Sequence, residues 1–145
     1  MSTATKPIEA IQTAMAGLSG ISALGGRVFQ GTPEDHQGFP LLCWHFNESP
    51  GPTDAESWLY RDYKITVDLF GSDEDQLEDL KLSVDLGLGD LCHGGGMDSS
   101  EWRITRLRRE VGWRKIAWNA RQDTTGNAVI QWQSEWRFTA LRKQS

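Results

Sequence analysis

The sequence predicts an α+β fold, a largely antiparallel sheet with two helices packed on one face, and three observations carry that prediction. An N-terminal stretch repeats its apolar residues at helical spacing, and a mid-chain acidic stretch does the same. Two further segments, over residues 58–70 and 128–141, alternate apolar and polar side chains with the period of a half-buried strand. The 145 residues suit a single domain, 1–145, with an ordered core over about residues 7–141.

The first helix is set by Ile8, Ile11, Met15 and Leu18, with Ala10, Ala14 and Ala16 adding helix propensity. Pro7 suits its first turn, and Gly17, Ser19 and Gly20 supply its exit. Gly25-Gly26 break the chain before a short strand around Arg27–Gln30. Thr32–Gly38 reads as a polar loop leading into Leu41–Phe46, an almost continuous apolar strand that Pro40 can open because a missing N–H costs least there. Asn47–Ser57, rich in Pro, Gly, Ser and acid, reads as an exposed loop.

Within Trp58–Phe70, Tyr63, Ile65, Val67 and Leu69 share one face, and Asp62, Lys64, Thr66 and Asp68 share the other. Ser72 and Asp75 resemble a capping box, and Asp73, Glu74 and Asp75 complement the dipole of a helix that should run from about Asp73 to Leu86 and bury Leu77, Leu80 and Val84. Leu88 would continue that face, while Gly87 and Gly89 speak against continuation, so the end is left open between the two. Cys92–Ser100, with Gly94-Gly95-Gly96, reads as a loop. Three strands should follow: Glu101–Val111, Trp113–Ala120 and, after a turn at Gln122–Asn127, Ala128–Leu141. In the last, Ile130, Trp132, Trp136 and Phe138 share one face, and Gln131, Gln133, Glu135 and Arg137 share the other. Five of the seven Trp (Trp102, Trp113, Trp118, Trp132, Trp136) fall in the last third, where they can fill a core or an interface.

Charge is distributed unevenly. Residues 31–100 carry fifteen Asp/Glu against three Lys/Arg, whereas residues 101–121 carry seven Lys/Arg against two Glu, in a chain of net charge −5. An acidic body and a basic strand region on one small domain can attract copies of the same chain, which points toward an assembly part. No run approaches the roughly 20 apolar residues that cross a membrane, and no apolar signal core stands behind the first residues. Cys43 and Cys92 read as free thiols in a reducing compartment.

Candidate chemistry is sparse. Cys43-x-His45 and Cys92-His93 lack the paired spacings of a zinc site, and Cys43, within Leu-Leu-Cys-Trp, reads as a buried thiol rather than a nucleophile. Gly94-Gly95-Gly96 lacks the Gly-Lys-Ser/Thr ending of a phosphate loop. The acids Asp73, Glu74, Asp75, Glu78 and Asp79 fit a capped helix with a solvated face and lack the ligand spacing of a calcium loop. No cofactor, metal or catalytic set is therefore expected. The basic residues Arg103, Arg106, Arg108, Arg109, Arg114 and Lys115, interleaved with Trp102 and Trp113, admit three readings: a solvated face, a contact with an acidic protein surface, or a small nucleic-acid-binding module. A sequence pI near 5.1 weighs against the last.

Taken in order, the N-terminal helix, Gly25-Gly26-Arg27-Val28-Phe29, Gly38-Phe39-Pro40-Leu41-Leu42, the Asp62–Phe70 strand with its acidic helix, and the basic and aromatic closing strands resemble the tail completion or tail terminator proteins of long-tailed bacteriophages. The likeness spans roughly Pro7 to Leu141. It implies a non-catalytic α+β protein that closes into a ring, commonly a hexamer, at the head-proximal end of the tail. The ring caps the tail tube, ends its polymerisation and prepares head–tail joining. Implied partners are copies of itself, the tail tube protein and head-completion or connector proteins, with DNA passing through the lumen without specific binding and no membrane. The implied setting is the virion, assembled in the host cytoplasm; a connector or adaptor of the same junction is the alternative role. On this reading Arg103, Arg106, Arg108, Arg109, Arg114 and Lys115 meet acids of a neighbour, with Asp73, Glu74 and Asp75 as counterpart candidates.

Overall fold

Alternation along two strands places Ile65, Val67 and Leu69 of one and Trp132, Trp136 and Phe138 of the other on one side, and that side is where both helices lie. The computed structural model describes residues 7–31, 38–47, 60–93, 102–116 and 128–142. The order is helix α1 (Pro7–Gly17), two 3-10 turns (Leu18–Gly20 and Ser22–Leu24), strands β1 (Val28–Gln30), β2 (Leu41–Phe46) and β3 (Tyr60–Gly71), helix α2 (Glu74–His93), then β4 (Trp102–Ile116) and β5 (Ile130–Arg142). Among these residues the five strands form one sheet in the order β1-β2-β3-β5-β4. Only the β1–β2 pair is parallel; the other three pairs are antiparallel, as the fold class requires.

The core lies between the helices and one face of this sheet. Ile65, Val67 and Leu69 of β3 stand opposite Trp136, Ser134 and Trp132 of β5. Ile11, Met15 and Leu18 from the N-terminal helical segment, and Leu77, Leu80, Val84 and Leu88 from α2, pack onto them. Each such fully buried side chain contributes about 1.5–3 kcal/mol. Ser134, fully buried, is satisfied by the indole N–H of Trp136 at 2.9 Å. Trp44, Trp102 and Trp136 are buried in this core, and Trp113 and Trp132 pack at its margin. Trp58 and Trp118 lie outside the described residues. A smaller cluster of Leu41, Cys43, Phe70 and Val129 occupies the other face at one end of the sheet.

Three expectations need correction. First, Glu101–Val111 and Trp113–Ala120 are not two strands: Trp102–Ile116 is one strand, paired along its length with β5. Register shifts between Ile104 and Arg106, Arg109 and Val111, and Val111 and Arg114 each place one extra residue on β4, so Gly112 marks an irregularity and not a turn. The remainder, 117–120, lies outside the described residues, as do 32–37, 48–57, 94–100 and 122–127 of the expected loops and turn.

Second, α2 does not stop near Leu86 but continues through Gly87 and Gly89 to His93, so Cys92 and His93 are helical. Two interior glycines cost about 1 kcal/mol each, and burial of Leu88 offsets much of that. Gly87 also has a packing reason: a Cβ there would stand 3.1 Å from Leu18 Cδ2. Third, the helix is capped by Asp73 and not Ser72. Asp73 Oδ1 accepts the backbone N–H groups of Asp75 and Gln76 at 3.0 and 3.3 Å.

The first turn region follows expectation. Gly25 takes a left-handed φ of 56°, and the side chain of Arg27 folds back against it. Arg27 Nε then donates to the carbonyl of Pro40 at 2.8 Å, tying β1 to the start of β2. Among the described residues no helix is long and apolar enough to cross a membrane.

Candidate functional site

Two charged surfaces lie on opposite sides of the molecule. The first is α2. Its 3.6-residue period divides the helix into a buried stripe, a flank toward β4 and β5, and an outer stripe. The flank carries Glu74, Lys81 and Asp85. Lys115 Nζ reaches Glu74 Oε1 at 2.7 Å. Asp85 is shared: Oδ2 takes Arg109 Nη1 at 2.8 Å and Oδ1 takes the indole N–H of Trp113 at 2.9 Å. Lys81 Nζ stands 3.5 Å from the centre of the Trp132 ring, a cation–π contact. The hydrogen bond and charge of Lys115 hold the Glu74 carboxyl below its ordinary value of 4.5, with Lys81 adding to the effect.

The outer stripe is different in kind. Asp75, Asp79, Leu82, Leu86 and Asp90 follow one another at three- and four-residue steps. Leu82 is 60% exposed and Leu86 58%. Beside this stripe an open groove of about 470 Å³ runs between the second 3-10 turn and α2, with Ser22, Asp73, Asp75, Asp79 and Ser83 on its walls.

The second surface is the sheet face away from the helices. Its residues interlock across strands. Thr66 Oγ1 donates to Asn47 Oδ1 at 2.8 Å, and Asp68 Oδ1 accepts from Gln131 and Gln133 Nε2 at 3.0 and 2.9 Å. Glu110 Oε1 stands 3.2 Å from Arg108 Nη2 and 2.7 Å from Arg137 Nε; the latter contact is an ion pair whose N–H is not aligned for a hydrogen bond. Desolvation pushes the Glu110 carboxyl up, but the two arginines more than reverse this and hold it below its usual range. Arg114 Nη2 donates to Gln133 Oε1 at 2.9 Å, and Lys64 lies 3.6 Å from Glu135. At the far corner, Arg103 of β4 is opposite Leu141 of β5, and Leu141 is 43% exposed.

The basic residues singled out from sequence are thus separated, not gathered. Arg109 and Lys115 turn toward α2 and bind its acids, whereas Arg108 and Arg114 stay on the open face. Arg106 stands opposite Thr139 in register. Of the acids, Glu74 is engaged within the chain, Asp73 caps its helix, and Asp75 belongs to the outer stripe. Sequence reasoning missed Lys81, Asp85, Leu82 and Leu86. A helical projection of residues 74–90 contains the signal, since 74, 81 and 85 fall on one flank and 82 and 86 fall opposite the buried leucines.

Cys43 is buried and His45 is exposed. Among the described residues no three His, Cys, Asp or Glu side chains converge where they could hold a metal ion. The outer stripe of α2 carries acids and two exposed leucines, and the open sheet face carries more cations than acids, several of them paired within the chain, with Leu141 at its corner.

No family model matches this sequence. No curated protein matches it either. The fold does have a counterpart among solved structures: a chain of the virion of a native gene transfer agent (GTA) particle is similar over 94% of this chain and 92% of its own length, at a TM-score of 0.56 and 10% identity. What the two chains share is the fold.

Proposed function

We propose that this chain is a non-catalytic structural protein of a virion, and that it closes into a ring on the head-proximal end of a phage tail tube, ending tube growth and presenting a surface for head joining. One observation carries the reading: the similarity to the virion chain runs nearly end to end in both proteins, so the whole α+β unit is shared and not a common submotif. The sequence resemblance to tail terminators supplies the finer role. Two charged surfaces on opposite sides of one chain support self-assembly, because a head-to-tail contact closes into a ring when its rotation permits.

The division of the basic residues favours this reading over a nucleic-acid module. A strand that gives two of its cations, Arg109 and Lys115, to carboxylates of its own helix presents a weaker track to phosphate than the sequence count suggests. Mass measured by light scattering, with and without purified tail tubes, tests the proposal. A ring near six subunits, or a monomer that becomes one on tube ends, supports it. A monomer that ignores tubes yet is retained on DNA in a salt-dependent way sinks it.

A further inference from the structure

Among the described residues the exposed large apolar side chains are Leu82, Leu86 and Leu141. Each has charged neighbours, and the sign differs between the two sites. Leu82 and Leu86 lie in a stripe with Asp75, Asp79 and Asp90. Leu141 stands directly across from Arg103, with Arg142 following it in β5. By register, the open face to which Arg103 and Leu141 belong carries Lys64, Arg103, Arg106, Arg108, Arg114 and Arg137 against Asp62, Asp68, Glu110 and Glu135, a cationic excess. The helix stripe carries acids only.

We infer that these two places are the halves of one contact between copies of this chain: the outer stripe of α2 on one copy, through Leu82 and Leu86, receives the Arg103–Leu141 corner of the next. Leucine meets leucine at the centre, and carboxylates meet guanidinium groups around it, the arrangement of an apolar core with a charged rim. The two halves differ and lie on opposite sides of the sheet, so one copy can use both at once and the contact is heterologous. The inference deepens the ring reading and rests on it for its setting, but names its own residues and its own failure.

The test uses full-length protein in sedimentation velocity from micromolar to near-millimolar concentration. Two double variants are compared with the wild type: Leu82→Ser with Leu86→Ser, and Arg103→Glu with Leu141→Ser. All replaced side chains are exposed, and circular dichroism confirms that each variant is folded. Each variant alone should lose association by at least about tenfold. Mixed together they should form a one-to-one heterodimer and stop, because each supplies the half that the other lacks.

Variants that assemble like the wild type overturn the inference. So does continued self-association of the Arg103/Leu141 variant alone, which marks a symmetric helix-to-helix contact, and so does a wild type that stays monomeric throughout. The ring reading fails separately. Wild-type protein that associates through these leucines into open filaments retires the ring and keeps the contact, whereas rings that form regardless of these substitutions keep the ring and retire the contact.

Discussion

The inner flank and the outer stripe of α2 are built from the same kinds of residue, acids and leucines, and end in opposite states. On the inner side Leu77, Leu80, Val84 and Leu88 are buried, and Glu74 and Asp85 hold Lys115, Arg109 and Trp113. On the outer side Leu82 and Leu86 stay more than half exposed, and Asp75, Asp79 and Asp90 have no ion pair among the described residues. The difference teaches that composition does not mark a face as structural or as available. Phase does: a shift of two residues along the helix turns a leucine from core to surface.

Substitutions should therefore separate the two sides in stability measurements. The largest effect is expected for Leu80→Ala, which opens a cavity at a 1% exposed position and should cost about 2–5 kcal/mol in urea unfolding. Asp85→Ala is next. It removes the acceptor of both Arg109 and the half-buried Trp113 indole, and should cost about 1 kcal/mol. A full loss as large as Leu80→Ala would mean that the flank, and not the buried stripe, fixes α2 to the sheet.

Acidification probes that flank through Glu74 and the open sheet face through Glu110. The Glu74 and Glu110 carboxyls are held below the ordinary 4.5, so the folded state binds their protons less readily than the unfolded state does. Their stabilisation is complete above that value and is lost as pH falls through the lower folded pKa. The urea midpoint should drop as pH falls below about 5, and Lys115→Met should flatten part of that slope. The smallest effect belongs to the outer side. Leu82→Ser and Leu86→Ser should leave the stability of the monomer within about 0.5 kcal/mol of wild type. A larger loss would make the stripe a concealed part of the core.

How much of this was legible depended on whether local pattern and tertiary packing agreed. In β5 they agree: the alternation from Ile130 to Phe138 gives the faces that the register displays. In β4 they do not. Each of its three irregularities inserts a residue and inverts the parity that follows, so Arg103 and Arg106, three residues apart, stand opposite Leu141 and Thr139 on one face, while ordinary alternation sends Arg108 and Arg109 to opposite faces. A run of cations then reads as one basic patch when it is two half-patches. At the end of α2 the glycines spoke against continuation and Leu88, in phase with Leu77, Leu80 and Val84, spoke for it; Leu88 is buried, and the close approach of Gly87 to Leu18 is a tertiary fact with no local trace. Among the site residues, Asp75 and Arg103 could be nominated from charge alone, while Asp85 and the exposed leucines emerge only when residues 74–90 are projected on a helix.

The irregular spacing of β4 also bears on aggregation. A 15-residue strand at the margin of a sheet is a natural template for runaway strand-on-strand growth and so for aggregation. Interrupted three times, this one cannot keep step with a flat incoming strand for more than a few residues. Edge-to-edge stacking through β4 is thereby disfavoured, and any contact between copies falls to side chains.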